Sequence, residues 1–170
     1  MLGTSAEEEA VASLTAKRFQ IAPRDQDINL LADLWVESWQ AIFPTIDFAA
    51  RRDWFCKLVV SLEADGGSTI CACDGANALA GFILLHAARG YIEQLAVPPN
   101  LFGRRVATLL IDEAKRLCPD GLDLDVNEDN LRALRLYEKA GFQRREAGLN
   151  PNSGLKTWHM RWPEEVIRAK

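Results

Sequence analysis

The chain has 170 residues, of which 48% are hydrophobic, 26% charged and 8% aromatic. That composition fits about one globular domain whose core needs no disulfide or metal to close it. The 20 Lys and Arg against 24 Asp and Glu leave a formal charge of −4, which excludes the broad basic field expected of a partner for nucleic acid or an anionic membrane. The longest nearly unbroken apolar stretch, Ala78 to Ala88, contains Gly81 and His86 and falls short of the roughly 18 residues a spanning helix needs. The first residues include Glu7, Glu8 and Glu9, where a secretory signal would be basic and then apolar, so a soluble, cytoplasmic chain is expected. Cys56, Cys71, Cys73 and Cys118 are accordingly read as reduced thiols. Cys71 and Cys73 flank Ala72 on one strand face, and no Cys or His pair follows at zinc-site spacing, so they read as small core residues.

In chain order, Met1 to Lys17 reads as an appendage, with Ser5 and Glu8 as a weak capping box, and residues 18–170 as the domain proper. Arg18 to Ala22 reads as a short strand. Ile28, Leu31, Leu34, Trp35 and Trp39 recur at helical spacing behind the cap candidates Asp25 and Asp27. Pro44 breaks that helix, and Asp47 is expected to open a second whose stripe is Phe48, Phe55, Leu58, Val59 and Leu62. Ser68 to Cys73, Leu79 to Ala87 and Tyr91 to Val97 form an antiparallel meander separated by turn residues and stopped by Pro98 and Pro99. Val106, Leu109, Leu110, Ala114 and Leu117 then predict a helix beginning near Gly103. Leu122, Leu124 and Val126 alternate with Asp123 and Asp125 as a strand. A helix from about Asn130 to Ala140 follows, which Gly141 can close, and Phe142 to Glu146 and Leu155 to Arg161 finish as a hairpin.

Two segments carry chemistry. In the first, a strand ends at Leu95-Ala96-Val97 and a short loop leads through Gly103-Arg104-Arg105 into Val106-Ala107-Thr108. Free amides of a first helical turn, the positive end of its dipole and small residues make that loop a phosphate cradle. In the second, Asn130 and Tyr137 lie two turns apart, so an amide and a phenol project from one helix face beside the preceding strand. An asparagine at a helix start serves equally as a cap, and a helix tyrosine equally as packing.

Together these two segments resemble the GNAT-type N-acetyltransferase superfamily in order and spacing, over about Arg18 to Trp162. The resemblance implies a mixed α/β fold: a largely antiparallel, twisted sheet of about six or seven strands, splayed between strands four and five, with helices on both faces. Acetyl-coenzyme A would lie in the split as co-substrate. Its pantetheine arm would run along Leu95, Ala96 and Val97, its pyrophosphate on amides from Gly103 through Arg104, Arg105, Val106 and Ala107 to Thr108, and its arm against Asn130. Two departures stand out: Phe102 occupies a position usually polar, and Arg105 one where the family places Gly.

The reaction implied is direct acetyl transfer to a primary amine in a ternary complex, with no metal. Tyr137 is the candidate general acid for the leaving thiolate. Glu93, four residues before Val97, is the candidate base, acting directly or through water, and a backbone N–H near Leu95 is the expected oxyanion donor. A GNAT-like domain that binds acyl-coenzyme A or an amine without turnover is the competing expectation. The five tryptophans read as core, and His86 and His159 as structural. Helices one and two and the last hairpin would shape the acceptor groove, with Trp39 and Phe43 near it. Small-molecule and peptide amines, and a homodimer, stay open.

Overall fold

The computed structural model describes residues 18–163, so the expected appendage, Met1 to Lys17, lies outside the described residues. The elements in chain order are β1 (Gln20–Pro23), α1 (Ile28–Ile42), α2 (Arg52–Ala64), β2 (Ser68–Cys73), β3 (Leu79–His86), β4 (Tyr91–Ala96), α3 (Val106–Leu117), β5 (Leu122–Asn127), α4 (Leu131–Lys139), β6 (Gln143–Leu149) and β7 (Lys156–Trp162). Asp27 caps α1 by accepting from the Asn29 amide at 2.7 Å. Asp47 accepts from the Ala50 amide at 3.1 Å, but what it opens is a single 3₁₀ turn, Ala49–Arg51, and α2 follows only from Arg52.

The seven strands make one sheet in the order β1-β2-β3-β4-β5-β7-β6. Every neighbouring pair is antiparallel except β4 and β5, which are parallel. Two apolar clusters sandwich the sheet, so the expected architecture holds. On one face Leu110, Ile111, Leu134 and Phe142 pack on Ile83 and Leu124. On the other, Leu31, Trp35, Phe55 and Val59 pack on Phe82 and Leu84. Alternation along β3 sends Ile83 and Leu85 one way and Phe82 and Leu84 the other, and each such side chain withdrawn from water is worth about 1.5–3 kcal/mol. Cys71 and Cys73 share the α1–α2 side, all four cysteines are free, and burial pushes the Cys71 thiol up to about 12. Among the described residues no helix is long and apolar enough to cross a membrane.

Two irregularities shape the middle of the sheet. Tyr91 with Asp123 is the one registered pair between β4 and β5, sealed by the Asp123 amide on the Gly90 carbonyl at 2.7 Å, and beyond it the two strands share no pairing. On the other side of β4, Leu84 faces Gln94 while Leu85 faces Ile92, so the register skips Glu93 as a bulge. A bulge breaks alternation. Ile92 accordingly belongs to the α3–α4 side, whereas Gln94, two residues later, is bonded by Trp35 of α1 on the opposite side.

Candidate active site

Where β4 and β5 part, a cleft of about 1180 Å³ opens. Of the residues selected from the sequence, Glu93, Leu95, Ala96, Val97, Gly103, Arg105, Val106, Ala107, Thr108, Asn130 and Tyr137 all line it, and Arg104 does not. The cleft has two arms. One runs between the start of α3 and α4, and the other between α1 and the β6–β7 loop.

The first arm begins at the loop before α3. The helix starts at Val106 rather than near Gly103, because Gly103 and Arg105 both take left-handed backbone, φ +77° and +65°. A glycine suits that region, but Arg105 holds it at a cost of about 1–2 kcal/mol. Arg105 therefore holds the N-cap position of α3 in a strained conformation. Among the described residues no acceptor takes the amides of Gly103, Arg105, Val106, Ala107 or Thr108, while that of Arg104 is used by the Leu101 carbonyl at 3.1 Å. A Cβ built on Gly103 would meet nothing within 4 Å, so the space beside these donors is open. Arg105, Arg132, Arg135 and Lys139 line the same arm and are exposed. Unspent amides at a helix start, open space and a ring of cations are the donor set a diphosphate requires. Arg132 also stacks on Phe102, 3.8 Å from its ring centre.

Deeper in, Tyr137 is 7% exposed and packs edge-on to Phe142 with centroids 5.5 Å apart. Burial raises its phenol well above the ordinary tyrosine range, so it holds its proton at neutral pH. Its hydroxyl takes no hydrogen bond within the described residues. Asn130, 4% exposed, accepts from the Ala133 amide at 3.1 Å, so the capping role is real, and one side-chain oxygen is committed to the helix.

In the second arm the bulge presents Glu93 at the junction of the cleft with a smaller pocket beside α2 that includes Ser61 and His86. Next to it, Gln94 accepts from the Trp35 indole at 3.1 Å. Sequence reasoning missed the polar cluster where β4 and β5 meet, of which Tyr91 and Asp125 line the cleft. Tyr91 donates to Asp125 Oδ2 at 2.6 Å, and His159 lies 3.2 Å from Asp125 and 2.9 Å from Asp123, to which Arg161 also donates. Burial first, and then the Asp125 carboxylate, drive the Tyr91 phenol far up, so it acts as a fixed donor. The alternation of Asp123 and Asp125 with buried Leu122, Leu124 and Val126 was the available signal. It placed both carboxylates on the face away from α3 and α4. What pairs with them comes from β4 and β7, 34 residues or more away.

Residues 28–142 match the Acetyltransferase (GNAT) family. The chain is 32% identical over 145 residues to a mycothiol acetyltransferase of Beutenbergia cavernae, a stretch that covers 82% of this chain and 42% of that protein. It is 35% identical over 63 residues to the peptidyl-lysine N-acetyltransferase YjaB of Salmonella typhimurium, covering 37% of this chain and 41% of the relative. The chain thus spans about two fifths of the length of these curated relatives. The solution structure of apo YjaB from Escherichia coli superposes with a TM-score of 0.69 over 85% of this chain and 97% of that one, at 22% identity, a likeness of fold. With residues 28–142 matched and the split sheet in place, this chain belongs to the GNAT acetyltransferase family.

Proposed function

We propose that this chain is an N-acetyltransferase that moves an acetyl group from acetyl-coenzyme A, the donor its family uses, to a primary amine by direct transfer in a ternary complex. The observation that carries the reading is the single pair between β4 and β5, because it leaves a backbone edge and five unspent amides facing one cleft. In this reading Leu95, Ala96 and Val97 offer that edge to the extended arm of the substrate. Gly103, Arg105, Val106, Ala107 and Thr108 take the diphosphate with backbone N–H groups. Asn130 fixes the start of α4 beside the arm.

Glu93 accepts the proton of the incoming ammonium, directly or through water, and frees the nitrogen lone pair. The new C–N bond forms at the thioester carbonyl as the C–S bond breaks, and Tyr137 gives its proton to the departing sulfur. Its raised pKa keeps the phenol protonated at neutral pH, so the proton is present when the thiolate forms. The proposed chemistry uses no metal.

A second reading, a binding module without turnover, draws support from Phe102 and from the strained Arg105. Thiol release from acetyl-coenzyme A across an amine panel separates the two. Release that disappears in Tyr137→Phe while coenzyme A binding persists supports the enzyme. Coenzyme A binding with no release from any amine supports the module.

A further inference from the structure

We infer that the acceptor is an amine with one positive charge carried on an aromatic or branched apolar body, and not a polyamine, an aminoglycoside or lysine in a basic peptide. The inference rests on the acetyltransferase reading and concerns the second arm of the same cleft. The wall made by α1 and the segment after it consists of Trp35, Ser38, Trp39, Ile42, Phe43 and Ile46, none of them charged. Trp39 is the hinge of that wall: its ring stacks on Phe43, 5.9 Å away at 10°, and on Phe48, 5.9 Å away at 26°. Rings locked in this way present a flat, rigid surface whose burial needs little further ordering. From the end of β6 and the β6–β7 loop, Leu149, 68% exposed, and Leu155 line the same cleft. An apolar body placed between Trp39 and Leu149 covers both.

Charge sets the rest of the specificity. The carboxylates among the cleft-lining residues are Glu93 and Asp125. Both oxygens of Asp125 are engaged, one by the Tyr91 hydroxyl and the other by His159. Among the described residues Glu93 makes no side-chain hydrogen bond or ion pair, and it is the carboxylate left for an ammonium. Arg51 lines the same arm, its guanidinium 5.8 Å from the Phe48 ring, and repels a second positive charge. One ammonium finds a counter-ion here; the further charges of a polycation meet an uncharged wall and an arginine.

The test uses the full chain with 2-phenylethylamine, spermidine, kanamycin and a lysine-containing basic peptide. Calorimetry measures amine binding to the protein saturated with coenzyme A, and thiol release measures turnover with acetyl-coenzyme A. The expected result is at least tenfold tighter binding of 2-phenylethylamine than of the other three. Trp39→Ala should weaken it about tenfold with the KM for acetyl-coenzyme A unchanged. Leu149→Ser, on an exposed rim that builds no core, should weaken it about threefold and serves if Trp39→Ala fails to fold. Preference for spermidine, kanamycin or the peptide overturns the inference. So does 2-phenylethylamine binding that is undetectable or indifferent to both variants. Tight 2-phenylethylamine binding without thiol release would defeat the proposed catalysis and leave the acceptor class standing. Turnover with polycations alone would do the reverse.

Discussion

The guanidinium of Arg132 lies 3.8 Å from the centre of the Phe102 ring, so the first turn of α4 is tied to the loop before α3 across the mouth of the cleft. Phe102 stands where the resemblance leads one to expect a polar residue, and it holds a cation beside the loop to which the proposed function assigns the diphosphate. A cation–π contact at an exposed site is worth about 0.5–1 kcal/mol, and a charge-assisted bond to phosphate about 1.5–3 kcal/mol. Arg132→Ala is therefore expected to raise the KM for acetyl-coenzyme A about tenfold with kcat within about twofold. Phe102→Gln, which keeps the cation but frees it, should raise KM less. Steady-state kinetics with thiol detection checks both, and equal effects on kcat would contradict the assignment.

Arg105 invites the opposite kind of test. Its φ of +65° is cheap for glycine and costly for arginine. Arg105→Gly should stabilise the fold by about 1 kcal/mol, a rise in melting temperature of about 2–4 °C for a chain of this size. The same change removes one of the exposed cations of the first arm, so coenzyme A affinity should fall as stability rises. A thermal melt paired with calorimetry reads the two effects separately.

Tyr137 offers a cleaner separation of catalysis from folding. Its hydroxyl bonds to nothing in the described chain, whereas its ring is packed against Phe142. Tyr137→Phe should leave the melting temperature within about 1 °C and coenzyme A binding unchanged. The maximal rate should drop about a hundredfold, the lower end of what a positioned proton donor contributes. A melting temperature lowered by several degrees would mean the phenol is structural.

Gly81 permits the close approach of β3, β4 and the start of α3. A Cβ there would sit 3.0 Å from the Ala96 carbonyl oxygen, 3.0 Å from Val106 Cγ1 and 3.2 Å from Val97 Cγ2. Gly81→Ala should cost about 1–3 kcal/mol by overpacking. Because Val97 and Val106 line the cleft, weaker coenzyme A binding should accompany the loss, as denaturant titration and calorimetry would show.

Outside the site, Arg24 of the segment after β1 grips Glu63 of α2 with two bonds, 2.8 and 2.6 Å. The pairing holds the Glu63 carboxyl below its ordinary value. A lowered folded-state pKa contributes stability that is complete above the ordinary glutamate range, near pH 4.3, and is lost as pH falls through the folded value. Glu63→Gln should therefore melt below the parent at pH 7, and the gap should close as pH falls below the ordinary glutamate value of about 4.3 and through the lowered folded one. A gap independent of pH would show that charge is not its cause.

Much of this molecule was legible in its residues because alternation and helical period report burial directly. β2, β5 and α4 fall where Ser68 to Cys73, Leu122 to Val126 and Asn130 to Ala140 placed them. Asn130 and Tyr137, singled out by their spacing, both line the cleft, but Asn130 does so from the N-cap of α4 and not from the helix face. Local backbone sign was not legible. Nothing in Phe102-Gly103-Arg104-Arg105 announces that arginine, and not only glycine, turns left-handed, because that choice is imposed by β4 and α3 on either side. The bond from Trp35 to Gln94 spans 59 positions and His159 reaches Asp125 across 34. Such partners emerge only from the order of strands in the sheet.

The extra residue in β4 sets the phase of everything after it. With Glu93 skipped, Gln94 and Ala96 look toward α1 while Leu95 and Val97 look toward α3. Were that one position drawn into the ladder opposite Leu84 instead of bulged out, the far half of the strand would roll over. The glutamine would swing off its indole, two aliphatic side chains would land among α1 aromatics, and the main-chain edge along the split would exchange its donors for acceptors. Bulging a single amino acid out of the ladder thus keeps the two walls of the cleft on opposite sides of one ribbon.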